Sequence, residues 1–347
     1  MNLTERGKVV IGVVATAVVA LSAVLVFTGN VPEAVKELVD EVTGQPEPCP
    51  LTGKLRPGGK GAPERPLLAV KVENSNDAYP LAGLQRADMI YEEPVEGSIT
   101  RFLALFQCRD AARLGPIRSA RTTDPKILVQ YAEEPLLAYS GANAPVTAAV
   151  DDAGIVSFTE TSANDAFSRD DARPSPHNLF VSTKKIYGIA SRNGVDPSPP
   201  DALFRFDEEV PGPSKPRTSA SVAFSSTNIV GWEWAGGRWV RQLDGEPMLA
   251  ENGAPIATDN VVIQEVIVTD SNIVDVAGFP SPKVKLVGRG RAWILRDGRL
   301  IVGRWRRASL GDVTVFDTRG GEEIALAPGT TFVQLVPKDD GEVMFAR

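Results

Sequence analysis

The sequence has one histidine, two cysteines and no tryptophan before Trp232. A lone His177 excludes zinc centres that need two or more imidazoles, and any Ser–His or Cys–His mechanism has to pass through it. Cys49 and Cys108 match no zinc-ligand spacing, so no metal site is expected. A P-loop and a dinucleotide fingerprint are also missing: Gly288-Arg289-Gly290 lacks both a third glycine and a following helix, and no cofactor is expected. Basic residues number 37 against 44 acidic ones, a formal net charge of −7, which argues against a broad nucleic-acid-binding face. Internal repeats of useful fidelity are absent.

What the chain does have is an uninterrupted apolar run from Val9 to Phe27, preceded by Arg6 and Lys8 and followed by Glu33, Glu37, Asp40 and Glu41. Such a run spans a bilayer as a helix, and the flanking charges place the short N-terminal tail in the cytoplasm and the body outside. The run is long for a signal-peptide core, and Phe27-Thr28-Gly29-Asn30 has no small-x-small cleavage site, so an uncleaved single-pass anchor over residues 1–30 is favoured over a cleaved signal. Residues 31–65 read as a short amphipathic helix, Val31 to Val42, and a linker dense in Gly and Pro. Outside the membrane, Cys49 and Cys108 can form one disulfide; two independent buried thiols are the alternative.

Residues 66–205 alternate strand and helix signals. Strands are expected at Leu67 to Glu73, Asp88 to Glu93, Thr100 to Gln107, Leu114 to Ser119 and Leu136 to Ser140, with helices at Thr123 to Glu133 and Pro145 to Ala153, the latter capped by Asn143. This is the pattern of a mixed α/β domain. A Pro-, Ser- and charge-rich crossing, Pro197 to Pro216, leads into residues 217–347, where short runs rich in Val, Ile and Trp alternate with turn pairs such as Asp244-Gly245, Asn252-Gly253 and Asp297-Gly298. That region reads as a mostly antiparallel meander closing into a sandwich or partial barrel, with Trp232, Trp234, Trp239, Trp293 and Trp305 as packing residues.

Between Asp88 and Arg121, charges interrupt the apolar runs: Glu92, Glu93, Glu96, Arg101, Arg118 and Arg121. Buried charge is tolerated when paired, hydrogen-bonded or used on a ligand. Reading Arg118 to Arg121 as extended puts the two guanidiniums on one face, a fork pair suited to carboxylate or phosphate, beside Ser119 and the helix start at Thr122, Thr123 and Asp124. Lys71, Glu73 and Asn74 end the first strand, where α/β sheets present ligand groups, and Asn178 follows His177 in a proline-rich loop. Tyr139, Ser140 and Asn143 follow the same logic at the end of a later strand. Glu92 or Glu96 beside His177 would provide an acid/base pair; internal pairing of these carboxylates with Arg101, Arg118 and Arg121 is the simpler alternative.

Several separated strings agree with one family. Pro50-Leu-Thr-Gly53, Pro94-Val-Glu-Gly-Ser-Ile-Thr-Arg-Phe-Leu-Ala-Leu-Phe106, Gly115-Pro-Ile-Arg-Ser-Ala-Arg121 and Pro176-His-Asn-Leu179 resemble the YerB-like putative lipoprotein family, as do Gly303-Arg-Trp305 and Pro328-Gly-Thr-Thr-Phe-Val-Gln-Leu335 towards the C-terminus. The resemblance implies a two-domain bacterial envelope protein, usually lipid-anchored, with no assigned activity. This chain departs from it in having no lipid-accepting cysteine at the end of its apolar run. The leading expectation is a membrane-anchored extracytoplasmic protein that binds an anionic small molecule, envelope polymer or partner protein in an Arg/Glu-lined cleft. A hydrolase or transferase using His177, and a scaffold with internally satisfied charges, are the rivals.

Overall fold

The computed structural model describes residues 46–275 and 278–346. The apolar run Val9 to Phe27 and the helix expected at Val31 to Val42 lie outside the described residues; among those described, no helix is long and apolar enough to cross a membrane. Two compact units are present. In the first, Leu55–Gly61 folds back on itself through an antiparallel bridge between Arg56 and Lys60. The second comprises Cys49–Lys54 and the chain from Ala62 onward.

In the second unit the strands are β1 (Leu68–Val72), β2 (Met89–Pro94), β3 (Thr100–Phe106), β4 (Leu136–Ala138), β5 (Val156–Phe158), β6 (Phe167–Arg169) and β7 (Leu179–Val181), with helices α1 (Thr123–Leu128), α2 (Ala144–Asp152) and α3 (Thr183–Arg192). Then come β8 (Ser214–Pro216), β9 (Ser219–Ser225), β10 (Asn228–Ala235), β11 (Arg238–Leu243), β12 (Glu246–Pro247), β13 (Ala257–Thr258), β14 (Asn260–Val274), β15 (Pro280–Lys285), β16 (Gly288–Arg296), β17 (Arg299–Arg307), β18 (Val315–Thr318), β19 (Thr331–Pro337) and β20 (Glu342–Ala346). The N-terminal region is mixed α/β and the C-terminal region mostly antiparallel.

β1 and β3 are buried along their whole lengths, which is why they read as near-continuous apolar runs rather than alternating ones. They belong to a 12-stranded sheet ordered β18-β17-β16-β14-β19-β2-β3-β1-β4-β5, with β15 on β14 and β8 on β17. This sheet passes through both sequence regions. β19, near the C-terminus, inserts parallel to β2 on one side and to β14 on the other. A hydrophobic pattern specifies that a strand is buried and says little about which distant strand lies beside it, so a self-contained C-terminal sandwich was the natural reading. Instead β9 to β13 and β20 form a second, six-stranded sheet, and the remaining C-terminal strands extend the large one.

Alternation along β1, β2 and β3 sorts their side chains into two cores. Val70, Val72, Ile90 and Phe102 pack with Trp232, Trp239 and Phe332. Ala69, Met89, Tyr91, Leu103 and Leu105 pack with Ile127 and Leu128 of α1 and with Val146 and Val150 of α2. Asn143 caps α2 as expected, accepting from the Val146 N–H at 3.1 Å. α1 stops at Leu128 instead of reaching Glu133, where the Gln130 side chain donates to the Ile127 carbonyl at 3.1 Å and accepts from Thr314 N at 3.0 Å. Leu114 to Ser119 is irregular, with isolated bridges at Leu114, Gly115 and Ile117 and single backbone hydrogen bonds such as that from the Arg118 N–H to the Lys71 carbonyl at 2.9 Å.

Cys49 and Cys108 form a disulfide. It fastens the first residues of this unit to the end of β3. Beside it, the buried Asp88 carboxylate accepts the backbone N–H groups of Gln107, Cys108 and Arg109 at 2.7, 2.9 and 3.2 Å.

Candidate functional site

β1, β2, β4, β5 and β19 all run in one direction, so their C-terminal ends share one edge of the sheet, the edge at which open α/β sheets present ligand groups. The expected residues gather there, and register explains which face each takes. Glu93 pairs with Arg101 and Lys71 with Leu103, so Lys71, Glu93 and Arg101 point to the helix side of the sheet, while Glu92, opposite Phe102, points to the second sheet.

Most of these charges are internally matched. Lys71 is fully buried, donating to Glu93 and, at 2.7 Å, to Asp124; burial pushes its ammonium down to about 8 in spite of Asp124. It is enclosed rather than offered to a ligand. Asn74 is equally committed: its amide donates to Glu92 (3.1 Å) and Thr100 (2.6 Å), and its carbonyl accepts from Tyr79. Glu92 is held bidentately by Arg241, both contacts 2.8 Å, and also accepts from Thr100 and Gln334 at 2.8 Å. A carboxylate so enclosed cannot serve as acid or base for His177.

Glu96 takes Arg121 through Nε at 2.8 Å and Nη2 at 2.5 Å, and accepts from Ser281. Burial alone would raise its carboxyl, but these hydrogen bonds prevail and hold it below the ordinary 4.5. Because the folded carboxyl titrates lower than the unfolded one, its contribution to stability is present above the unfolded value and lost as pH falls through the folded one. Glu96→Gln is therefore expected to flatten the fall of the thermal midpoint between about pH 5 and 3. An unchanged acid limb in a pH series of melts would count against this pairing.

Arg118, His177 and Glu73 form the third group. His177 Nδ1 lies 3.0 Å from both Glu73 carboxylate oxygens, Ser75 donates to Glu73 at 3.0 Å, and Arg118 Nε approaches it at 3.4 Å. The carboxylate beside the histidine is thus Glu73, not Glu92 or Glu96. Asn178 is turned away, accepting from Arg169 at 2.9 Å. Ser119 contributes its carbonyl, which accepts from Arg101 at 3.0 Å and Arg121 at 3.4 Å.

Arg101 stands apart. It is only 8% exposed, makes no ion pair among the described residues, and its Nε and Nη2 have no hydrogen-bond partner. Burial, then the neighbouring Arg121 and Arg118, push its guanidinium down to about 10. Strict alternation would have sent Arg118 and Arg121, three residues apart, to opposite faces; the irregular chain between them lets both bear on Arg101. At the start of α1, where the helix amides were expected to help bind an anion, the Asp124 carboxylate already stands, accepting the Arg121 backbone N–H at 2.6 Å. Tyr139 donates to Ser157 at 3.3 Å, while Ser140 is exposed. Arg241 was not among the expected residues; its signal was a charge two positions from Trp239, on the inward face of an alternating strand.

Residues 51–196 match the model described as the protein of unknown function (DUF3048) N-terminal domain, and residues 220–333 match the DUF3048 C-terminal domain. The putative lipoprotein YerB of Bacillus subtilis (strain 168) is 27% identical over 300 residues, covering 84% of this chain and 87% of the relative. The crystal structure of the YerB protein from Bacillus subtilis has a TM-score of 0.71 at 24% identity, covering 85% of this chain and 99% of that one, and so shares its fold. The strings that carry Arg101, Arg118, Arg121 and His177 fall within the N-terminal match, and the chain belongs to the DUF3048 family of proteins of unknown function, of which YerB is a relative.

Proposed function

We propose that this chain is an extracytoplasmic protein of the cell envelope that captures a carboxylate or phosphate group at Arg101, beside Arg118 and Arg121. The envelope location draws on the lipoprotein description of its relative, and residues 1–30 would be the anchor with 31–65 as a spacer. The domains at 66–205 and 217–347 would then divide the work, the first binding and the second supporting it through Arg241 and β19. One observation carries the binding reading: a buried guanidinium without a carboxylate partner, in a region where every neighbouring cation has one. An uncompensated buried charge is costly, and an anionic ligand removes that cost.

The His177–Glu73 pair supports a second reading. Glu73 on Nδ1 leaves Nε2 to act as a base on a molecule held by the arginines.

The test is mass spectrometry of small molecules that co-purify with the full chain and with its Arg101→Met variant. The variant is expected to lose the ligand by about tenfold or more, the worth of one or two charge-assisted hydrogen bonds. Its thermal midpoint should hold or rise. Undiminished capture, or a midpoint that falls as it does when an ion pair is broken, would sink the proposal. Chemical conversion of the captured molecule by the native chain but not by His177→Gln would establish the catalytic reading instead.

A further inference from the structure

Farther along the large sheet, the register of β16 and β17 sets arginine directly against arginine. Arg291 faces Arg304 and Arg289 faces Arg306, and since residues two apart share a face, all four lie on one side of the sheet. Like charges opposite each other across a ladder destabilise it. Two are relieved: Arg291 by Glu265, with Nε at 2.8 Å, and Arg306 by Asp317 at 2.6 Å. Arg289 and Arg304 are exposed and have no partner among the described residues, and the same holds for Lys285 and Lys338 nearby.

These four cations surround a cavity of about 310 Å³. Gly290 and Trp305 also line it. The indole donates to the Glu265 carbonyl at 2.7 Å, and a Cβ on Gly290 would lie 2.5 Å from the indole nitrogen, so only glycine fits there. A chain with a net charge of −7 has gathered five cations and a single carboxylate around one cleft. Local repulsion of this kind is relieved by a bound polyvalent anion.

We infer that this cleft is a second anion site that takes a phosphate group, held by Arg289 and Arg304 with Lys285 and Lys338 at its rim. Planar guanidiniums bind phosphate oxygens bidentately, while the lysines act as point charges. The volume suits a pyrophosphate or a phosphorylated sugar or glycerol headgroup. The inference does not depend on the Arg101 reading, because no residue is shared between the two places.

The test is titration calorimetry on the full chain in neutral detergent at low salt, with two probes. Pyrophosphate represents a soluble phosphate and monomeric dihexanoylphosphatidylglycerol a lipid headgroup; binding of either supports the site and identifies the source. Arg289→Gln with Arg304→Gln should weaken that binding by about tenfold or more. The melting midpoint should stay level or rise as cross-strand repulsion is relieved. Binding should also weaken steeply with salt. Failure of both probes to bind, unchanged affinity in the double variant, or equal loss in Arg101→Met would overturn the inference, the last because the phosphate would then sit at Arg101 on β3.

Discussion

Arg241→Met is expected to cost about 3 to 5 kcal/mol of folding stability, the range for removing one member of a buried ion pair. Arg241 and Glu92 are both fully buried and come from different sheets, β11 and β2. The guanidinium carbon lies 5.3 Å from the ring centroids of Phe102 and Phe332 and 5.8 Å from that of Trp232, so its surroundings are apolar apart from the carboxylate. Without it, Glu92 keeps only neutral donors, Thr100, Asn74 and Gln334, and must either take up a proton or open the inter-sheet core to water. Chemical denaturation of Arg241→Met, Glu92→Gln and the double variant forms the cycle. The double variant should recover much of the loss, since the damage comes from a charge left alone and not from the volume removed. A single-variant loss below about 1 kcal/mol would mean that the pair is solvated. Any acid/base role for Glu92 would then have to be reconsidered.

The pair also shows what periodicity conveys. β1, β3, β16 and β17 were legible because apolar runs bounded by turns are written locally, as were the Asn143 cap and the proximity of Cys49 and Cys108, given an oxidising compartment. Partnership between charges was not. Arg118 belongs with Glu73, Arg121 with Glu96, and Glu92 with a residue 149 positions away, because strand order, not spacing, decides which side chains meet. Arg118 and Arg121 were expected on one face of a strand, but strand alternation would have separated them; both bear on Arg101 because Leu114 to Arg121 is no strand. His177 was correctly singled out as the one imidazole. That its carboxylate is Glu73 followed only from the docking of the 176–179 segment on Ile117 and Arg118, which run beside the end of β1.

Lys71→Met should be comparably damaging, at about 3 to 5 kcal/mol near neutral pH, but with a distinct signature. It leaves Glu93 and Asp124 facing each other in a dry site, and two such carboxylates cannot both stay ionised cheaply. The variant's folded state therefore holds a proton that its unfolded state has released. By linkage, its stability falls as pH rises through the range between the two titrations. The variant should consequently gain stability from about pH 7 to 5 relative to the native chain, in denaturation series at each pH. A deficit independent of pH would mean that the ammonium acts through packing alone. The same substitution should also reach the ligand. Glu93 is the cross-strand partner of Arg101, so a carboxylate freed from Lys71 shares a sheet face with a guanidinium that has no ion pair among the described residues. Capture of an anion at Arg101 should then weaken in Lys71→Met and return when Glu93→Gln is added. Such a return would show that Lys71 keeps Arg101 available by holding Glu93 away from it.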